Sequence, residues 1–528
     1  MIGKFRCTAV IAAAVLAGSA QAAQIVIFNV DPPGVGFNDP TPATPVGGNA
    51  GTTVGAQRLI AYQRALDLWG SVLKSTVPII VQGSFAPLSC TAGGGTLAQA
   101  GALSIFSDYP NAPLSNHWYG GALADAIAGQ DLDPGFGDIV ANFNGNVGQA
   151  NCVAGPGWYY GFDHQVPVGG IDFINTFMHE VSHGLGFQNF VTETTGATPL
   201  GIPDVYMANT FDLDVDQKWD VLSASQIAAS AVRSGRVVWD GPAVTANAGR
   251  VLGPYQGVRL IGTLNQDIEI GTASFGAAAA AATLNGDIVA AVDTGGASTL
   301  DGCEAFVTNV VGKVALVSRG TCGFAVKAAN AQAAGAKAVI IANNQPGGAI
   351  GLGGADPAVT IAAVSVSQAD GNAIRVALPG VAIEFFVDPA RLAGTAEGLV
   401  RLFTPSVVQL GSSISHFDTV ASPNLLMEPA ITETLKATRN LDLTPSLMKD
   451  IGWTLDTLKI GSCDTGIVTA KPNGDLLSGP IFDCSAAATN KGQFVSCVRL
   501  YANDLKQRGL LSNADATTIG NCAVSGTR

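Results

Sequence analysis

The sequence predicts an α+β chain: a mixed sheet packed on a histidine-bearing helix, interrupted by a small α/β unit and followed by a cysteine-containing tail. Three observations predict this. Short β-branched runs and a long amphipathic segment precede the helical pattern around His179. The stretch from about 243 to 399 alternates apolar strands with helices. Four cysteines fall after Asp456.

The first part, from residue 23 to 242, opens with a strand-like Gln24-Ile25-Val26-Ile27-Phe28. Leu59, Tyr62, Leu66, Trp69 and Leu73 then recur at three- and four-residue steps, the signature of a helix with one apolar face. Val77 to Val81 and Asp138 to Phe143 read as two more strands. Together they would give the later helix a sheet to pack on, with an edge that an extended substrate could join.

That later helix spans the run from Ile171. Ile174, Phe177, Met178, Val181 and Leu185 line one face, and Asp172 is a candidate N-cap. It carries His179-Glu180-Val181-Ser182-His183. Residues four apart lie one turn above each other, so His179 and His183 can present ring nitrogens to one metal ion, with Glu180 beside it. A zinc ion held by neutral imidazoles lowers the pKa of its bound water to about 7, and a neighbouring carboxylate can take the proton as that water attacks a carbonyl. The pattern therefore points to zinc-dependent peptide hydrolysis. A zinc hydrolase acting on another amide and a noncatalytic binding protein are the alternatives, and the intact Glu180 speaks against a binder, which needs no base.

From about 243 to 399 the composition turns to Ala, Gly and Val. Strands are expected at 313–320 and 338–342, and helices at 324–334 and 368–378. The stretch GKVALVSRGTCGFAVKAANAQAAGAKAVIIANN resembles the protease-associated domain, a noncatalytic module inserted in or attached to many exported peptidases. The resemblance covers most of this region.

A catalytic zinc usually takes three protein ligands, and one helix supplies two. Here the chain resembles the metzincin metallopeptidases, whose extended motif places a glycine three residues after the second histidine and a further ligand three beyond that. Gly186 fits, but the ligand position holds Asn189, whose amide oxygen is a weak donor to zinc. His117, His164 and His416 are the remaining histidines. In leishmanolysin-like metzincins the third histidine follows a long insertion and precedes a methionine turn, and GSSISHFDTVASPNLLMEP resembles that region. The resemblance implies His416 as third ligand, Met427 as turn methionine, and a catalytic domain split into residues 23–242 and 400–455 around an inserted protease-associated domain at 243–399. His117 and His164 read as loop or substrate-cleft residues.

Residues 1–22 carry Lys4 and Arg6, an apolar run and a small-residue exit at Ala20-Gln21-Ala22, the form of a secretory leader cleaved after Ala22. An exported protein, secreted or periplasmic and without a membrane anchor, is expected. Loss of that leader takes the formal charge from −13 to −15, which argues against nucleic acid as a partner. A protein or peptide substrate is expected instead. Of nine cysteines Cys7 leaves with the leader; the eight others form an even set, expected as disulfides, with sequential pairing within each segment the simplest connectivity. The tail, 456–528, reads as a small disulfide-stapled module. Asp212-Leu213-Asp214-Val215-Asp216 begins like a calcium loop but has Gln217 where an EF-hand needs Gly, and Leu222-Ser223 where its closing Glu belongs. A solvated acidic face is the simpler reading there; Asp163 beside His164 reads as an exposed loop pair, with a cleft or calcium residue as the alternative, and a structural calcium ion is a secondary expectation beside zinc.

Overall fold

The computed structural model describes residues 23–526 except 93, 355 and 433. The expected leader, with Cys7, lies outside the described residues. The first sheet has four strands in the order Ile25–Asn29, Ile79–Ala86, Ile139–Asn144 and Ala98–Ala102. The first three run parallel, and Ala98–Ala102 is an antiparallel edge paired to Ile139–Asn144. The helix Val54–Val72 joins the first two strands, with the Thr53 hydroxyl accepting from the Ala56 amide at its N-terminus. It lies beside the helix Phe173–Gly184, where the Trp69 indole donates to the Met178 carbonyl at 3.1 Å. Tyr62, Phe143, Phe173 and Phe177 form an aromatic core between sheet and helices. The Ala-Gly-rich edge strand was not expected from sequence. Its residues have little intrinsic preference for a strand, and the ladder to Ile139–Asn144 holds it.

A second, antiparallel sheet runs in the order Gln217–Lys218, Thr210–Asp212, Val237–Trp239, Leu399–Arg401, Thr395–Ala396. It therefore joins chain from both sides of the α/β unit. The helix Pro242–Val251, expected within that unit, instead buries Val244 and Ala248 in the same core as the first sheet. Asp450 holds its first turn by accepting from the Ala243 and Val244 amides.

The α/β unit is built on an eight-stranded sheet between Pro254 and Leu392. Its centre is parallel, in the order Gly286–Ala290, Val314–Ser318, Ala338–Ala342, Ala362–Val366. Separate apolar clusters cover its two faces, as a parallel sheet requires. One buried cation, Lys327, donates to the carbonyls of Asp301 and Gly320, both at 2.6 Å. The tail is a hairpin, Thr457–Ile460 with Cys463–Val468, and three helices around their own core.

Disulfides join Cys90 to Cys152 and Cys303 to Cys322. In the tail, pairing is nested rather than sequential: Cys463 meets Cys522, and Cys484 meets Cys497. The hairpin packs on the last helix while the first two tail helices pack on each other, so Cys463 finds its partner 59 residues away and Cys484 its partner 13 residues away.

Asp138 accepts from the Ile80 amide at 2.7 Å and lies against Asp125. Burial, reinforced by Asp138, pushes the Asp125 carboxyl up to about 7. The folded state therefore holds a proton that an unfolded aspartate, near 4, releases, and stability falls as pH rises through that window. In chelator-containing buffer, Asp125→Asn should raise the thermal midpoint at pH 8 and leave it nearly unchanged at pH 4. Residues 254–392 expressed alone should fold, with Cys303 bridged to Cys322. Circular dichroism and mass spectrometry check this, and a disordered fragment would refute an autonomous unit.

Candidate metal centre

Asp172 starts the histidine-bearing helix by accepting from the Asn175 amide at 3.0 Å. Its other oxygen meets His164 Nδ1 at 2.7 Å, and His164 Nε2 meets the Thr438 hydroxyl at 2.7 Å. His164 thus ties the helix start to distant chain. The Asn175 side chain does the same, donating to the Leu435 carbonyl and accepting from the Ala437 amide. After the helix the chain turns at Gly186 with φ 119°, where a Cβ would lie 2.6 Å from Ile451 Cδ1. Only glycine suits both conditions.

The structure brings His179, His183 and His416 together. Their Nε2 atoms stand 3.1 Å apart between His179 and His416 and 3.2 Å apart between His179 and His183. Ligands at 2.0–2.1 Å from a tetrahedral zinc are about 3.3 Å from one another, so the spacing fits one ion. Each ring is oriented by its other nitrogen: Nδ1 of His179 faces the Leu426 carbonyl at 2.6 Å, that of His183 the Phe187 carbonyl at 2.8 Å, and that of His416 the Ser412 carbonyl at 2.8 Å. A proton on each Nδ1 leaves the three Nε2 lone pairs aimed inward. Burial, with His183 adding repulsion, lowers the His179 pKa to about 3. Burial lowers His183 to about 4 and pushes His416 well below its usual value. All three are therefore neutral donors at physiological pH.

Glu180 is buried beside them, and burial raises its carboxyl to about 8, opposed by a hydrogen bond from the Ala100 backbone in the edge strand. A cation held by the imidazoles would restore the carboxylate. These residues floor a cleft of about 790 Å³ whose walls include Ala98 to Ala100, Glu193, Ser415 and Ile431.

Asn189 is not part of the histidine cluster. Its amide nitrogen donates to the Ser415 hydroxyl at 2.8 Å and its oxygen accepts from the Val191 amide. Met427 is fully buried, and its carbonyl accepts from the Phe417 amide, next to His416. Two carboxyls without a recognised role in the sequence hold this turn. Asp442 accepts from the Leu426 amide at 2.5 Å, and Glu428 from the Leu425 amide at 2.8 Å. Burial pushes them up to about 7 and about 8. Glu428 stood in the LLMEP run, but nothing in the local sequence signals Asp442.

His117 lies elsewhere, with Nδ1 on the Ser115 carbonyl and Nε2 3.5 Å from Asp220. Asp163 accepts from the Tyr159 hydroxyl at 2.5 Å. In the calcium-like loop, Asp212 pairs with Arg233 at 2.6 Å and Asp214 with Arg236 at 2.7 Å. Guanidinium groups already neutralise those carboxylates, so the calcium expectation finds no support at that loop.

The protease-associated domain model matches residues 284–374. No curated relative matches the chain. Among solved structures, the chain is similar to BSAP, a zinc aminopeptidase from Bacillus subtilis, at 26% identity over 28% of this chain and 37% of that one, with a TM-score of 0.19. An aminopeptidase from Aneurinibacillus sp. strain AM-1 gives 24% identity over 28% and 38%, with a TM-score of 0.18. The subtilisin-like protease Apa1 from Pseudoalteromonas sp. AS-11 gives 19% over 26% and 34%, with a TM-score of 0.20. The matches thus span less than two fifths of each of these proteins' length. Among the described residues, no helix is long and apolar enough to cross a membrane.

The geometry separates two variants. His416→Ala should weaken zinc retention by more than the 10- to 100-fold, roughly, that loss of an outer hydrogen-bond partner costs. Asn189→Ala should leave metal content nearly unchanged. Metal analysis of the folded variants decides, and stoichiometric zinc in His416→Ala would overturn the assignment.

Proposed function

We propose that this chain is an exported zinc metalloendopeptidase of the metzincin type. His179, His183 and His416 are its zinc ligands, Glu180 its general base and Met427 its turn methionine. One observation carries the reading: three neutral imidazoles aim their Nε2 atoms at a single point beside a buried carboxyl, on the floor of a cleft walled by a sheet edge.

When bound there, zinc supplies Lewis acidity, lowering the pKa of a water and polarising the scissile carbonyl. The chain's own groups do the rest. Glu180 accepts the proton of the attacking water and returns it to the leaving amine. Its burial strengthens the electrostatic interaction it makes with a cation in the site. The depressed histidine pKa values mean that the ligand set needs no proton removed at neutral pH. The Ala98–Ala102 strand has a ladder partner on one side only. An extended peptide can therefore continue the sheet and cross the histidines, which favours cleavage within a chain over removal of its end residue.

The organisation follows from the same reading. Chain from 23 to about 253 and from about 393 to 455 forms one split catalytic unit, with a noncatalytic protease-associated unit between the halves and a disulfide-stapled tail appended. Residues 1–22 are its secretory leader, and four disulfides suit an oxidising destination.

Glu180→Gln should lower kcat for casein or peptide hydrolysis by about 10²- to 10⁴-fold, the usual contribution of a general base. Zinc content and thermal midpoint should change little. Hydrolysis at a near wild-type rate in this variant would sink the mechanism.

A further inference from the structure

The cleft is charged on one side of the balance only. Among its described lining residues the acidic side chains are Glu180 and Glu193, and no lysine or arginine is present. Glu180 is committed to the histidine cluster. Glu193 is not: it lies past the helix, partly buried, with Asn189 Nδ2 3.4 Å from one oxygen. The same Asn189 nitrogen donates to Ser415 Oγ at 2.8 Å, and Ser415 precedes His416. Glu193 is thus linked, through one amide, to the residue that precedes His416, in the lining of the same cleft.

Its charge has no counter-ion. No ion pair to Glu193 occurs among the described residues, and the groups opposing the burial that raises its pKa are its own backbone amide and Asn189. A partly desolvated carboxylate held by neutral donors gains most from a cation brought by a ligand. The same cleft offers Leu97, Ile171, Leu410 and Ile431, apolar surface for the alkyl stem of a long cationic side chain. The chain's formal charge of −13 adds long-range attraction for basic peptides.

We propose that Glu193 is a specificity-determining residue that selects protein or peptide substrates carrying lysine or arginine at one fixed position near the scissile bond. This rests on the zinc-peptidase reading of the same site, and it deepens that reading by naming the substrate class. Asn189, which resembles a failed metal ligand in the sequence, acquires a role here: it positions the selecting carboxylate.

Two measurements on the full-length, zinc-loaded protein test this. In the first, cleavage sites in a peptide library are mapped by mass spectrometry. Wild type should show Lys or Arg enriched at one position. Glu193→Gln should bring the ratio of kcat/KM for an arginine peptide over its norleucine analogue from at least about tenfold, the scale of one hydrogen bond to a charged group, to near one. Glu193→Asp should retain part of the preference, and the wild-type ratio should fall as acid protonates Glu193. In the second, binding of the same two fluorescent peptides is read by anisotropy in Glu180→Gln and in Glu180→Gln/Glu193→Gln, where cleavage does not interfere. The arginine peptide should bind more tightly only when Glu193 is present. Hydrolysis without positional preference, or an equal loss for both peptides in Glu193→Gln, would overturn the selector while leaving the peptidase reading intact. Charge-dependent binding by a wild type that cleaves nothing would uphold the selector and overturn the peptidase reading.

Discussion

Three imidazoles must lose water, stay unprotonated and keep their ligand nitrogens within 4.8 Å of one another, and the rest of the structure is arranged around that demand. Each ring leaves solvent only because its Nδ1 finds a backbone carbonyl, and each of those carbonyls lies on a different piece of chain: Leu426, Phe187 and Ser412. A helix fixes two of the rings relative to each other, since four residues make one turn. It cannot fix the third. The segment bearing His416 is placed instead by its own backbone, through the Phe403 amide on the His416 carbonyl and the Phe417 amide on the Met427 carbonyl.

Holding that segment costs buried polar groups, and they are satisfied in pairs. Asp442 takes the amide of Leu426, whose carbonyl in turn orients His179, so a carboxyl outside the cleft lining is coupled to a histidine of the cleft through one residue. Glu428 closes the neighbouring turn. Asn175 and His164 bind the following chain to the start of the histidine-bearing helix. These contacts join opposite ends of the first core, and a buried donor or acceptor left unmatched in any of them would cost about 1–3 kcal/mol. The site is rigid because its supports are shared.

This division explains what the sequence reveals. His179, Glu180 and His183 are legible because helical periodicity converts their spacing into geometry. The strands at 25–29, 79–86 and 139–144 are legible because their β-branched runs are consistent with burial. The edge strand at 98–102 is not, since Ala, Gln and Gly carry no such signal and the pairing that creates it is long-range. Asp442 and Glu193 are hidden for a related reason: a lone carboxylate in a loop reads as solvated until the fold shows what it faces. The nested tail disulfides depend on helix packing, which cysteine spacing does not encode. His416 and Met427 carry no local periodic signal, and only the family resemblance of the segment around them implies their roles.

The interposed unit fits the same logic, because it enters and leaves at one place. Its first and last long strands pair with each other in antiparallel fashion, and Pro254 stands opposite Leu392. The chain thus departs from and returns to neighbouring points, and the Leu399–Arg401 strand can join Val237–Trp239 as though nothing had intervened. The junction is also charged. Arg401, largely buried, pairs at 2.6 Å with Asp418 and at 2.7 Å with Glu269 of the inserted sheet. Removing either carboxylate would leave a buried guanidinium half matched, which is far costlier than losing a surface pair. Since Asp418 lies two residues beyond His416, the contact that seats the insertion also braces the segment carrying the third histidine.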